Sequence, residues 1–371
     1  MLRCNILTVF LAFSMLAGAQ EWKVVRENPQ KAFPKTVAAG NYSGIAHLHD
    51  DIYAVVSDKS DSALYFNFRI QVNPKTGELE KVENLGFTER TDGTLNDGKP
   101  WLGQEKGFDH EAIVKVSDST LVIASEGYCR LKEYPILHTS ADAAKVGYQQ
   151  NLWESRWSSS DFYPNYNFES LAFDSIRQYL WTIPESTLRK DGQPATPQNG
   201  LANQLRLMRF DWGKMKEESS KEDSLYMATY AYQMDQPSTH KKADIYVMGV
   251  SELCALPDGQ LLVLEREAFI PKIKIGAFCK CKLYLINPLN SDGFSMEEKF
   301  SADTPFLKKR LLTEWKTGLS LSKRSFANYE GMCLGPKLED GSQVVILLSD
   351  SQDQYAGVLK DWFKTIVIRK E

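Results

Sequence analysis

Carboxylates recur at regular places in this chain, where they could bind a cation or act as acids and bases. One phrase occurs five times: a polar or acidic residue, a small or apolar residue, an apolar strand, a turn, a second apolar strand and a closing carboxylate. Nine of the ten boundary residues of these copies are acidic, and Ser43 is the exception. The copies cover residues 43–58, 111–126, 169–185, 252–265 and 330–350.

The phrase predicts where these carboxylates lie relative to one another. A strand that leaves and a strand that returns form an antiparallel hairpin, so the first residue of one and the last residue of the other lie side by side. Like charges held this close need a cation, a basic partner or raised pKa values.

The elements that must position these acids are β-strands. Short runs rich in Val, Ile and Leu are bounded by turn residues, which is typical of buried strands. The turns Asp50-Asp51, Asp118-Ser119, Pro257-Gly259 and Glu339-Gly341 stand where hairpins need them. Further strand-like segments follow the hairpins, at residues 64–70, 204–211, 282–286 and 364–369.

Repeated units of about four strands that cannot bury their faces alone indicate a β-propeller. We therefore predict an all-β fold with four-stranded antiparallel blades. Six blades are preferred, with five or seven possible, because five copies are clear in the sequence. The sixth would lie in a long interval or be closed jointly by the residues after Gln20 and the C-terminal strand. The charged stretch 214–224 is interpreted as a solvated loop.

The N-terminus predicts export. Arg3 precedes an apolar run from Ile6 to Leu16 and the small residues Ala17–Ala19, which is the pattern of a secretory signal peptide. We expect cleavage after residue 19 and a single propeller domain over residues 20–371. The apolar run is too short to span a bilayer, so no membrane insertion is expected.

Charge and cysteine usage limit the other possibilities. The net charge of −4 argues against a nucleic-acid-binding surface, and we expect a monomer. Five cysteines remain after signal cleavage, an odd number that cannot form a complete disulfide framework. Cys279 and Cys281 alone lack the second pair that a structural zinc site needs. We expect free, core-facing cysteines.

Several segments of the sequence resemble the phytase-like propeller family, known as "esterase-like activity of phytase". They are Phe108–Ile113, Asn167–Ala172, Leu261–Arg266, Asn328–Met332 and the ending Leu348–Gln352. The resemblance spans nearly the whole mature chain. It implies a β-propeller exported by bacteria, to the periplasm or the medium, that hydrolyses phosphoesters or carboxyl esters. Ser43 departs from the family pattern, which usually has an acidic residue there.

If each phrase is the inner hairpin of a blade, its acids surround the mouth of the central channel. The predicted inner ring consists of Glu111, Glu169, Glu252 and Glu330, and a wider ring of Asp58, Glu126, Glu185, Glu265 and Asp350. Two such carboxylates repel by a few kcal/mol at an effective dielectric constant of about 20. Calcium relieves this repulsion, since it takes six to eight oxygen ligands in loose geometry.

The first functional hypothesis is a calcium-assisted hydrolase of a small phosphorylated or ester substrate. The predicted metal ligands are Glu111, Glu169, Glu252, Glu330 and Asp109, and the predicted catalytic residues are Glu111, Glu169 and His110. Arg266 and Arg130 are predicted to receive an anionic substrate, because guanidinium groups pair bidentately with phosphate. For each of these residues a structural role, such as fixing blade geometry, is the alternative.

The second hypothesis is a propeller without catalysis that binds an anionic, glycan or peptide ligand. Aromatic residues are dense between Trp153 and Phe168, and Trp101 precedes another copy of the phrase. These aromatics would overhang the channel mouth or, alternatively, pack a long loop onto the propeller. The sequence has no G-x-S-x-G motif for a nucleophilic serine.

Overall fold

A computed structural model describes residues 21–59, 65–87, 109–136, 153–218, 227–320, 324–351 and 359–371. The predicted signal peptide and Trp101 lie outside the described residues. Among the described helices, none is long and apolar enough to cross a membrane.

Four of the five sheets are built from four consecutive antiparallel strands. The first contains β3 (Tyr42–His49), β4 (Ile52–Ser57), β5 (Phe66–Val72) and β6 (Leu79–Phe87). The second contains β7 (His110–Lys115), β8 (Thr120–Ser125), β9 (Arg130–Pro135) and β10 (Glu154–Arg156). The third contains β11 (Ala172–Asp174), β12 (Tyr179–Thr182), β13 (Gln204–Asp211) and β14 (Met227–Gln233). The fourth contains β15 (Ile245–Ala255), β16 (Leu261–Ile270), β17 (Phe278–Ile286) and β18 (Lys309–Gly318).

The fifth sheet joins the two ends of the described chain. It contains β19 (Asn328–Lys337), β20 (Gln343–Asp350) and β21 (Trp362–Lys370), and the N-terminal strand β1 (Trp22–Glu27) forms its outer edge by pairing with β21. The short strand β2 (Lys31–Ala32) also pairs with β21. The joint closure by N-terminal and C-terminal strands, which the sequence offers as one option for a sixth blade, is found in the fifth sheet instead.

The five sheets are the blades of a β-propeller. Strands β3, β7, β11, β15 and β19 each contact the next, and β19 contacts β3, which closes the ring. Residues of all five inner strands line a channel of about 210 Å³ on the axis. In the described residues the ring closes with five blades, which lies within the range that the sequence allowed, although six was preferred.

Close approach of the inner strands explains why small residues stand near their starts. A Cβ atom built on Gly44 of the first blade would lie 2.8 Å from the Cα of Ala112 in the second.

Apolar side chains on both faces of the blades fill the space between neighbouring sheets, and every residue of β20 is buried. The five described cysteines are free and buried, as expected.

One local prediction is wrong in part. Residues 214–218 of the charged stretch, for which a solvated loop is predicted, lie in helix α1 (Trp212–Glu218), and residues 219–224 lie outside the described residues. Trp212 and Met215, three residues apart, are buried in the core next to the third blade. That spacing places both side chains on one helix face, so the helix is stabilised by packing while Lys214 and Lys216 are exposed.

Candidate functional site

The inner hairpins carry a one-residue bulge that turns a side chain toward the axis. The pairing register shifts around Ser43, Glu111, Ser251 and Glu330. Glu169 holds the same place in the third blade, directly after the bridge between Phe168 and Pro184. A bulge inserts one unpaired residue and re-aims its side chain. The bulge residues therefore form one set of equivalent positions, and three of the five are glutamates.

A second set of equivalent positions lies on the returning strands. The amide N–H groups of Asp58, Glu126 and Glu185 donate to the carbonyls of Asn41, Asp109 and Asn167, two residues before the respective bulges. In the same register Gly249 pairs with Arg266 and Asn328 pairs with Asp350. The second set thus holds four carboxylates, and Arg266 replaces the acid in the fourth blade.

Both sets meet at a cavity of about 480 Å³ at the end of the propeller where the inner strands start. Its polar floor has six carboxylates and one arginine, namely Asp58, Glu111, Glu126, Glu169, Glu185, Glu330 and Arg266. Four of the predicted site residues, Glu111, Glu169, Glu330 and Arg266, are therefore brought together. Asp109 lies beside them, because its side chain is hydrogen-bonded to that of Glu111.

Arg266 is the centre of one half of this floor. Its Nη2 donates to Glu169 Oε2 at 2.9 Å and to Glu185 Oε1 at 2.5 Å. Its Nη1 donates to Asn328 Oδ1 at 3.1 Å and to Glu330. The arginine is only 3% exposed. It holds three acids from two other blades in place, so the predicted role as a receiver of substrate anions would compete with these bonds.

Gly249 makes room for this arrangement. A Cβ atom at this position would lie 2.4 Å from Glu185 Cγ and 2.6 Å from the Glu185 carbonyl oxygen. Any other residue would push Glu185 away from Arg266. Glycine therefore stands opposite Arg266 for a steric reason.

The other half of the floor is a carboxylate triad without an arginine. Asp109, Glu111 and Glu126 each offer one oxygen, and these oxygens lie within 4.8 Å of one another. Burial raises the pKa of Glu126 to about 7, and the nearby Glu185 charge adds to the effect. Burial, followed by the charges of Glu169 and Glu330, raises the pKa of Glu111 well above its usual range. Three carboxyl oxygens this close together fit a hard divalent cation, whose charge would offset their mutual repulsion.

The acids around Arg266 also hold protons more tightly than free carboxyls. Burial raises the pKa of Glu330 to about 7, against the attraction of Arg266. Burial and the neighbouring Glu185 raise the pKa of Glu169, and a hydrogen bond joins these two carboxyl groups. A carboxyl pair of this kind can hold one proton between its two members, so it can take up or release one.

Glu252 does not line this cavity, so its predicted place in the ring is corrected. The bulge residue of the fourth blade is Ser251, and Glu252 therefore points to the other side. Its Oε1 accepts the amide N–H groups of Leu171 and Leu253, both at 2.9 Å, and its carboxyl also accepts from Met332. Glu252 thus links the third, fourth and fifth blades.

Two predicted wider-ring acids of the fourth and fifth blades also differ from expectation. Glu265 accepts hydrogen bonds from Tyr232 at 2.7 Å and Lys309 at 2.6 Å, and it is not part of the cavity lining. Asp350 is buried and raises the pKa of Asp58, but it is not one of the residues that line the cavity.

His110 and Arg130 lie away from the cavity lining. His110 is fully buried, and its Nδ1 lies 2.8 Å from Ser125 Oγ. Burial and the Arg130 charge lower the pKa of His110 to about 3, so the ring is neutral at physiological pH. Arg130 lies 3.6 Å from Glu154 and stacks over Tyr128. Neither group is positioned to contact a molecule in this cavity.

The aromatic segment packs onto the propeller. Trp153 contacts Phe210 and Trp212, with ring centroids 5.6 and 5.2 Å apart. Trp157 and Phe162 both pack edge-on against Phe168. These contacts agree with the alternative that the segment covers the core.

The cavity also contains residues that were not predicted as site residues. Asn328 donates to Glu330 at 2.6 Å and orients it toward Arg266. Lys59 lowers the pKa values of Asp58 and Asp109 against the effect of burial. The position of Lys59 directly after Asp58, the carboxylate that closes the first hairpin, is the sequence feature that could have identified it as a site residue.

Replacing Asp58 with asparagine should stabilise the protein at alkaline pH. Burial, followed by the Asp350 charge, raises the pKa of Asp58 to about 7, whereas an unfolded aspartate titrates near 4. The folded state therefore binds the extra proton, and the stability contributed by this group declines as pH rises from about 4 through 7. We expect D58N to exceed the wild type by about 1–2 kcal/mol at pH 8.5 and to match it at pH 5. Urea unfolding at both pH values measures this difference. Equal effects at the two values would contradict it.

The sequence matches the family "Phytase-like: Esterase-like activity of phytase" over residues 37–352. No curated protein matches the chain. Among solved structures, a streptogramin B lyase is 10% identical with a TM-score of 0.33 and covers 92% of this chain and 98% of its own. A member of the DUF4221 family from Bacteroides vulgatus is 9% identical with a TM-score of 0.35, and the match covers 95% of this chain and 99% of that one.

The Dos1 propeller is 10% identical with a TM-score of 0.29 and covers 88% of this chain and 68% of its own. The family match extends from the start of the first blade to the end of the inner hairpin of the fifth. It includes every bulge and every acid of the cavity floor. The chain therefore belongs to the phytase-like family of β-propeller proteins.

Proposed function

We propose that this protein is an exported hydrolase of phosphoesters or carboxyl esters that acts in the acidic cavity with the help of a divalent cation. The observation that carries the proposal is the convergence of Asp109, Glu111 and Glu126, with oxygens within 4.8 Å of one another, beside the carboxyl pair held by Arg266. A structural ion pair would need only one carboxylate for one arginine. Among the described residues, the cavity offers an acidic half that no arginine binds, next to a carboxyl pair held by Arg266.

The triad is the proposed cation site, with calcium as the first candidate because all three donors are carboxylates. A bound cation of this kind polarises a phosphoryl or carbonyl oxygen and lowers the pKa of a bound water. Glu169 and Glu185 are the proposed proton donor and acceptor for the leaving group and the attacking water. Arg266 acts as a positioning residue, since its bonds fix the orientation of both carboxyls.

The proposal is tested with p-nitrophenyl phosphate, phytate and p-nitrophenyl acetate, each with added calcium and with a chelator. We expect turnover of at least one substrate class, lost with the chelator, and a drop in kcat of at least about 10- to 100-fold in E126Q, because Glu126 is a proposed cation ligand. E80Q is the matched control, because Glu80 is exposed on the outer strand of the first blade. It should behave like the wild type.

The outcomes separate the two functional classes. If no ester is turned over while a ligand still binds saturably, the protein is a binding module and the hydrolase proposal is wrong. If turnover persists in the chelator, and elemental analysis of the purified protein finds no divalent ion, the cation part alone is wrong. Calcium should also raise the melting temperature of the wild type but not of E126Q.

A further inference from the structure

One wall of the cavity is apolar and belongs to a single hairpin. Strands β15 and β16 continue beyond the bulge, and in this part Ile245 pairs with Ile270, and Val247 pairs with Ala268. Alternate residues of a strand lie on the same face, and all four line the cavity. The next pair in the same alternation is Gly249 and Arg266. The apolar face therefore leads directly down to the arginine of the acidic floor.

This wall is open to solvent. Ile245 is 50% exposed, and Ile273 and Ile275, which flank the cavity-lining Lys274, are 74% and 47% exposed. Leu319, Phe326 and Leu359 extend the apolar lining. Large exposed aliphatic side chains grouped around a polar centre are typical of ligand-binding surfaces.

The charges of the cavity do not suit a polyanion. Three cationic residues are among the described residues that line it. Arg266 is bound by three carboxylates, Lys274 lies 3.1 Å from Asp244, and Lys59 acts on Asp58 and Asp109. Recognition of several phosphates would need a cluster of cations, whereas an uncharged chain needs only the apolar wall.

We propose that the substrate is a carboxyl ester with an uncharged aliphatic chain, which lies along Ile245, Val247 and Ile270 while its ester group reaches the acidic floor. This inference rests on the proposed hydrolase function and narrows it to one substrate class. Phytate and other highly charged phosphoesters should be poor substrates.

The test uses p-nitrophenyl esters from acetate to octanoate, together with the matching primary amides, which keep the chain and the carbonyl but have no ester bond. We expect kcat/KM for the esters and the affinity for the amides to rise about two- to threefold per methylene up to six carbons, less than the fourfold of complete burial. I245N should weaken the dependence on chain length in both series. We expect kcat/KM for the hexanoate ester and the affinity for the matching amide each to fall at least tenfold. I176N is the control, because Ile176 is 67% exposed and lies in the hairpin turn of the third blade, at the other end of the inner strands.

The two series keep the proposals apart. Rising amide affinity with no turnover of any carboxyl ester or phosphoester contradicts the hydrolase function and supports the chain site. Ester turnover that does not depend on chain length, or a higher kcat/KM for phytate, overturns the inference while the hydrolase function stands. A wild-type dimer that I245N dissociates would show that a second copy covers the wall, and this result would also overturn it.

Discussion

Replacing Arg266 with methionine should lower the free energy of unfolding by about 3–5 kcal/mol at pH 8, the usual cost of removing one partner from a buried ion pair. The variant leaves Glu169, Glu185 and Glu330 buried together without a counter-charge. All three carboxyls already have raised pKa values through burial, that of Glu330 reaching about 7 with Arg266 present. Without the arginine these pKa values should rise further.

The same reasoning gives the pH dependence of the variant. Groups whose folded-state pKa lies above the unfolded value lose stability as pH rises through that range. The deficit of R266M should therefore be largest at pH 8 and shrink at pH 5.5, where a larger fraction of these carboxyls is protonated. Urea unfolding at the two pH values measures it. A deficit that is equal at both would mean that Arg266 contributes by packing and not by charge.

Arg206 provides a matched control for this experiment. It is 1% exposed and makes a bidentate pair with Asp191, with both distances 2.7 Å. This pair includes one carboxylate and is not part of the cavity lining. R206M should be destabilised at pH 8 as well, but it should keep the wild-type response of the cavity to calcium, which R266M should change.

The fold could be predicted from the sequence because its signals are local and repeated. Each inner hairpin combines apolar runs with turn residues, and the third strands follow at similar distances. The predicted segments 204–211 and 364–369 correspond to β13 and β21. The blade count was less certain, since the closing strand β1 lies more than 300 residues away in sequence from its partner β21 and no local pattern links them.

The composition of the cavity was harder to predict because a shift of one residue reverses which face a side chain occupies. The fourth blade contains Ser251-Glu252 on one strand and Glu265-Arg266 on the other, so one register places two acids at the cavity and the register shifted by one residue places a serine and an arginine there. The repeated phrase predicts Glu252 and Glu265. The bulge instead selects Ser251 and Arg266, which turns an all-acidic ring into one with a basic centre.

The sequence of the first blade indicates the correct register for the fourth. Ser43 is followed by Gly44 and a strand, just as Ser251 is followed by Glu252 and a strand. When Ser251 is aligned with Ser43, Glu252 stands at the position that Gly44 and Gly331 hold in the first and fifth blades. Those residues pack closely against neighbouring blades. Likewise, His110 and Arg130 are chemically suitable residues, and only packing shows that they face the space between sheets.

Glu252 is the residue for which the two registers predict opposite results. Glu252 is 1% exposed, and its carboxyl accepts backbone N–H groups from three blades. E252A would leave these buried donors without an acceptor, at about 1–3 kcal/mol each, and would open a cavity. We expect a loss of about 4 kcal/mol in the free energy of unfolding.

E252Q should be tolerated, since burial raises the pKa of Glu252 well above its usual range and the neutral form has the same shape as glutamine. The amide oxygen can accept the same N–H groups, so we expect a loss of about 1 kcal/mol and a kcat/KM within twofold of the wild type. Urea unfolding and ester turnover measure the two effects. A hundredfold loss of turnover in a folded E252Q would place this carboxyl in the chemistry, because a link between blades does not need its charge.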